Sequence, residues 1–132
     1  MKPPVDSIRV GRRGREQLTK LRRATAIENY NILCRWAICA SLREPSAPPP
    51  VKGDLDGGVE MSWKVFAGEH SGVYIALLAM RRADDLKRGN KWDEAEHFRR
   101  HLHRGLNFLD AKLESFEGHE LLSALALGKR GS

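Results

Sequence analysis

Seven basic side chains crowd into fifteen residues near the start of this chain: Arg9, Arg12, Arg13, Arg15, Lys20, Arg22 and Arg23. Guanidinium and ammonium groups at that density attract phosphate, releasing counterions as they do so. From Met1 to Arg43 there are ten Lys and Arg against three acids, a net +7, whereas Glu44 to Ser132 sums to −1. The positive charge of the protein is therefore a property of one segment. A segregated basic segment is the electrostatic footprint of a nucleic-acid binder. An acidic protein surface would answer the same charge, and is the alternative partner.

Other reactive residue types form weaker patterns. His97 and His101 are four apart and His103 follows, so two imidazoles could begin a zinc site. No cysteine or carboxylate pair completes it at a recognisable spacing, and no metal or other cofactor is expected. Cys34 and Cys39 lie in an apolar helical pattern, where thiols behave as small hydrophobes rather than nucleophiles. Acids such as Asp84, Asp85, Asp93, Glu94 and Glu96 fall into no hydrolase pattern, and Glu96 with Arg100 reads as ordinary helix support. Phosphate-loop, Gly-x-Ser-x-Gly and His-Glu-x-x-His motifs are all missing. No catalytic residue is assigned and the protein is not expected to be an enzyme.

The elements that must position the basic groups follow from pattern. Two prolines make Met1–Asp6 an arm. Ser7–Val10 alternates as a short strand that needs a partner strand. Gly11 and Gly14 bracket Arg12 and Arg13 as a turn, and Arg15–Arg23 is a basic helix with Leu18 and Leu21 inward. Thr25 is the expected cap of a second, more apolar helix running from Ile27 to Leu42, with Glu28 in its first turn. Residues 44–58, with Pro45, Pro48, Pro49 and Pro50, form a Pro/Gly-rich linker. Val59–Phe66 alternates again and reads either as a strand, with Ser7–Val10 as its candidate partner, or as the start of a third helix; the alternation favours the strand.

A helix over Ser71–Leu86 carries Val73, Leu77, Met80 and Ala83 among its apolar positions. Another, Asp93–Lys112, is capped by Asp93. Gly118 separates it from a last helix, Glu120–Leu127, and 128–132 is a tail. The expected fold is thus mainly α with a short β element. It is a single domain over 1–132: a basic unit (1–43), the linker (44–58), a helical part (59–127) and the tail.

A strand followed by two helices is the ribbon-helix-helix order. There, strands of two chains pair and helix N-termini face phosphates, leaving Arg9 on the exposed strand face to meet base edges. With 132 residues, 41% hydrophobic and a pI near 9.7, the chain can bury a core of its own. No apolar run approaches the ~20 residues of a membrane span, and no hydrophobic signal region opens the chain. The expectation is a soluble, reduced, cytoplasmic protein without a membrane partner.

Four separated blocks carry a family resemblance. Met1-Lys-Pro-Pro-Val-Asp-Ser-Ile-Arg-Val, Leu33-Cys-Arg-Trp-Ala-Ile-Cys-Ala-Ser-Leu-Arg-Glu-Pro-Ser, Glu60-Met-Ser-Trp-Lys-Val-Phe-Ala-Gly-Glu and Phe98-Arg-Arg-His-Leu-His-Arg-Gly together resemble the DndE family. It supplies the small subunit of the bacterial DNA phosphorothioation system, which replaces a non-bridging phosphate oxygen by sulfur. The resemblance runs from Met1 to about Leu109. It implies a DNA-binding accessory subunit working beside separate enzymes. It also implies a ribbon-helix-helix-like unit, a homo-oligomer (a tetramer) and a preference for nicked double-stranded DNA. The seven basic residues named above are assigned as DNA contacts from local charge.

Overall fold

Residues 2–53 and 55–115 are described by the computed structural model. The helix expected over Glu120–Leu127, the break at Gly118 and the 128–132 tail lie outside the described residues. The elements are β1 (Ser7–Val10), α1 (Arg12–Thr25), α2 (Tyr30–Leu42), β2 (Val59–Ser62), α3 (Trp63–Ala67), a 3-10 turn (Gly68–His70), α4 (Ser71–Lys87) and α5 (Glu94–Ser115). No helix among the described residues is long and apolar enough to cross a membrane.

The strand at Ser7–Val10 finds its partner within the chain. It pairs antiparallel with β2, with Ser7 opposite Ser62 and Val10 opposite Val59. Ile8 and Val10 are buried while Ser7 and Arg9 stay exposed, as the two-residue period requires. The alternation over Val59–Phe66 is thus only half a strand. Ser62 ends β2 and caps α3, its Oγ accepting from Val65 N at 3.1 Å, so the strand and helix readings of this stretch each hold for one part of it, strand to Ser62 and helix from Trp63. Trp63 goes into the core and Val65 is left 52% exposed.

α1 begins three residues earlier than the expected start at Arg15 and ends two later than Arg23. Gly14 sits inside it, because a Cβ there would come within 2.9 Å of Val10 Cβ; the glycine serves close packing of helix on strand, not a turn. Thr25 closes α1 instead of capping the next helix: its Oγ1 donates to Leu21 O at 2.7 Å and accepts from Ile27 N at 3.2 Å. Ala26 then takes a left-handed conformation, φ 60°. α2 starts at Tyr30, behind Asn29.

α5 is the central helix, packed most extensively against α2 and next against α1. Asp93 caps it as expected, Oδ1 accepting from Glu96 N at 2.8 Å. Its closest approach is to α2, at Gly105, where a Cβ would stand 1.8 Å from Ala37 O. Phe98, Leu102, Leu106 and Leu109 are buried along its inner face. Trp63, Phe66, Tyr74 and Phe98 form an aromatic group, with Phe66 and Phe98 edge-to-face at 5.5 Å, a favoured ring geometry.

α4 departs from expectation in the face it turns inward. Ile75 and Leu78 are buried, whereas Val73 (57%), Leu77 (42%) and Met80 (69%) are exposed and Ala83 is exposed beside them. The apolar repeat is real, but among the described residues nothing covers it.

The thiols differ sharply. Cys34 is fully buried, and burial pushes its pKa from 9.0 to about 12; Cys39 is exposed, although partial burial raises it too. At neutral pH the Cys34 thiolate fraction falls about 1,000-fold. A thiol-reactive disulfide reagent is therefore expected to titrate Cys39 and not Cys34 in the folded chain, and both in denaturant. Fast native modification of Cys34, located by peptide mapping, would contradict this placement of α2.

Candidate nucleic-acid interface

The outward face of α1 is built by helical geometry from residues three, four, seven, eight and eleven positions apart. Arg12, Arg15, Glu16, Thr19, Lys20 and Arg23, with Gly57 from the linker, line an open groove of about 450 Å3. Arg12 to Arg23 spans about 16 Å along the axis, the rise of about five base pairs. Opposite this face, Gln17, Leu18 and Leu21 are buried, so the basic groups cannot turn inward without exposing the core.

The start of α1 is electrostatically unusual. Arg12, Arg13 and Arg15 occupy its first turn, with no acid there and no side-chain cap on Gly11. Helix N-termini carry partial positive charge, so cations there are disfavoured and an anion is favoured by ~0.3–1 kcal/mol for each charge. An anion beside this end would meet both the helix terminus and the guanidinium groups.

The seven residues assigned from the sequence are not equivalent. Arg12, Arg15 and Arg23 share the groove, and among the described residues no ion pair engages them or Arg13 and Arg22. Arg13 is exposed, and Arg22 lies over the Tyr30 ring at 4.7 Å, a cation–π contact. Lys20 lines the groove too, but its Nζ pairs with Asp110 Oδ1 at 2.8 Å, and that hydrogen bond raises its pKa. Its charge is already partly answered. Arg9, half-exposed on β1, lies 3.7 Å from Asp56 and opposite Glu60 in the ribbon; its face of the sheet carries acids as well as a base. Sequence reading missed Glu16, Thr19 and Gly57 as parts of the groove. Thr19 was within reach of it through the i, i+4 spacing to Arg15 and Arg23, while Gly57 offered no signal at all.

A second set of polar groups faces inward, where α2, α4 and α5 meet. Arg104 is 5% exposed and spreads its guanidinium over the end of α2. Nε donates to Ser41 Oγ (2.9 Å), Nη2 to Ser41 O (2.8 Å) and Glu44 O (3.2 Å), and Nη1 to Ser46 O (2.7 Å). Arg81 adds bonds to the carbonyls of Leu42 (3.1 Å), Glu44 (2.7 Å) and Ser46 (2.8 Å), and Arg88 one to Pro45 O. These arginines hold the start of the Pro-rich linker and are spent on the fold.

Beside them Asp85 is fully buried. Its Oδ1 accepts from Arg81 Nε at 3.3 Å and its Oδ2 lies 2.9 Å from His97 Nε2. Burial alone would raise the Asp85 carboxyl; the His97 bond and the Arg81 charge overcome it and hold the pKa below normal. Burial lowers the pKa of both His97 and His101, the latter to about 3.

The family model of DndE, described as DNA sulphur modification protein DndE, matches residues 7–116. Two solved structures share the fold. DndE from Escherichia coli B7A, involved in DNA phosphorothioation modification, has 21% identity and a TM-score of 0.62, covering 80% of this chain and 96% of that one. A DndE mutant carrying two glycine-to-lysine changes, involved in DNA phosphorothioation, has 22% identity and a TM-score of 0.57 with the same coverage. None of the curated proteins compared with the chain matches it.

Proposed function

This chain belongs to the DndE family of DNA sulphur modification proteins, and from that premise we propose that it is a non-enzymatic, cytoplasmic DNA-holding subunit of the phosphorothioation system. It grips duplex DNA, with a preference for nicked duplex, through the α1 groove, and presents it to the enzymes of that system. The observation that carries this reading is the alignment of Arg12, Arg15 and Arg23 along one exposed face that starts at the positive end of its own helix. Phosphates answer both the side-chain charge and the helix terminus. Contacts of this kind position the backbone and carry little sequence information.

The test is binding of the purified chain to intact, nicked and single-stranded DNA across a salt series. Three to four phosphates in the groove give a slope of about −3 in log affinity against log salt. Tightest binding to nicked duplex supports the whole reading. No DNA binding at low salt would transfer the groove to an acidic surface on a partner protein of the system.

The acting form is a homo-oligomer, a tetramer, and the support lies on α4. Val73, Leu77 and Met80 repeat at i, i+4 and i+7 on its exposed side, with no charged residue between Ser71 and Met80. Exposed apolar stripes of this kind mark contact surfaces. Leu77→Glu combined with Met80→Glu should lower the mass measured by light scattering below that of the unaltered chain without loss of helix signal. An unaltered chain that is already monomeric at micromolar concentration would refute the oligomer.

A further inference from the structure

We propose that Asp85, His97 and His101 form a binding site for a divalent transition ion of the zinc class, joining α4 to α5. His97 and His101 stand one turn apart on α5, and both direct Nε2 at the same oxygen, Asp85 Oδ2, at 2.9 and 3.5 Å. The three donor atoms lie within 4.8 Å of one another, and all three side chains are buried. Zinc bonds to imidazole and carboxylate are about 2.0–2.2 Å, which sets tetrahedral donors about 3.3 Å apart. Shifts of well under 2 Å would bring this set to that spacing. Among the described residues no other group of three such side chains converges.

The surroundings fit ligation. His101 Nδ1 is 2.8 Å from Ser41 Oγ, and that hydroxyl also accepts from Arg104 Nε. Such a partner fixes the ring's direction, as outer groups do around ligating histidines. Arg81 occupies Oδ1 of Asp85 and leaves Oδ2 facing the rings. Two imidazoles with one carboxylate favour zinc over calcium or magnesium, which take oxygen sets. The Arg81 charge offsets the carboxylate and holds the affinity below that of an all-thiolate site. Three protein donors leave the fourth position to water or another small donor.

The experiment loads the full chain with zinc, dialyses it against metal-free buffer and counts the retained ion. One zinc per chain, with two imidazoles in the first shell by zinc-edge X-ray absorption, is the expected result. Asp85→Asn and His101→Ala should each weaken binding at least about 10-fold. His70→Ala, an exposed histidine elsewhere, should leave binding unchanged. A folded wild-type chain that retains no zinc, or holds it through one imidazole or none, overturns the proposal. The three residues would then be a closed hydrogen-bonded network and nothing more. Because the wild-type chain decides this, a variant that fails to fold does not rescue it.

Discussion

Replacing Arg12, Arg15 and Arg23 together by glutamine is expected to weaken duplex binding by at least about 100-fold at 0.1 M salt. Each phosphate contact contributes about 0.9 to the logarithmic salt slope, a factor of about 8 per contact at that salt relative to 1 M, and three contacts multiply. The slope itself should flatten by about 2.7. All three side chains are exposed on α1, and glutamine keeps helix propensity close to that of arginine, so the fold should survive. Fluorescence anisotropy with nicked and intact duplex measures both quantities, with circular dichroism as the folding control. The same change at Arg9 and Lys20 should do less, because Asp56 and Asp110 already neutralise part of their charge. Equal losses from the two sets would mean that diffuse charge, not the groove, binds DNA. An unchanged affinity for the triple variant would sink the groove altogether.

Arg104→Lys should act on the opposite side of the ledger, costing about 3–5 kcal/mol of stability while leaving the salt slope of the folded protein intact. The guanidinium meets Ser41 Oγ and the carbonyls of Ser41, Glu44 and Ser46 at once. An ammonium is a point charge with three donors on a flexible stem and cannot span them. Ser41 O keeps its bond from Glu44 N, and the carbonyls of Glu44 and Ser46 keep Arg81, so the cost falls on the buried charge, which loses its full set of partners. The shift of the urea midpoint measures the loss, and anisotropy on the folded fraction measures the slope. A stability change under 1 kcal/mol would mean that Arg81 and Arg88 hold the linker without Arg104. The contrast separates two kinds of arginine in one chain: those that reach outward for phosphate and those that fasten the linker to the helices.

What could be read from the sequence follows interaction range. The Leu18–Leu21 stripe, the Asp93 cap and the α4 and α5 spans rest on contacts within four residues, and those were legible to within a few positions. The first strand was legible because period-two alternation is local, whereas the second stayed open between strand and helix and its pairing with the first was only one candidate. The misses near Gly14, Thr25 and Ser62 share one cause. A glycine, a threonine and a serine each have several local uses, and packing selects one: Val10 against Gly14, Leu21 O for Thr25, Val65 N for Ser62.

By itself, then, the chain's order of residues determined the four longer helices α1, α2, α4 and α5 to within a few positions, the first strand, the segregation of +7 into residues 1–43 and, through four blocks of residues, the DndE family. The tertiary structure alone decided which bases share a groove, because Lys20 meets Asp110 across ninety residues and Arg9 meets Asp56 across a linker. It alone brought Asp85 to His97 and His101, through the packing of α4 on α5, and turned the apolar stripe of α4 outward. Charge and periodicity are local sums that a sequence carries openly. Convergence of side chains from separate helices exists only once burial of Leu102, Leu106 and their neighbours has fixed how those helices lie.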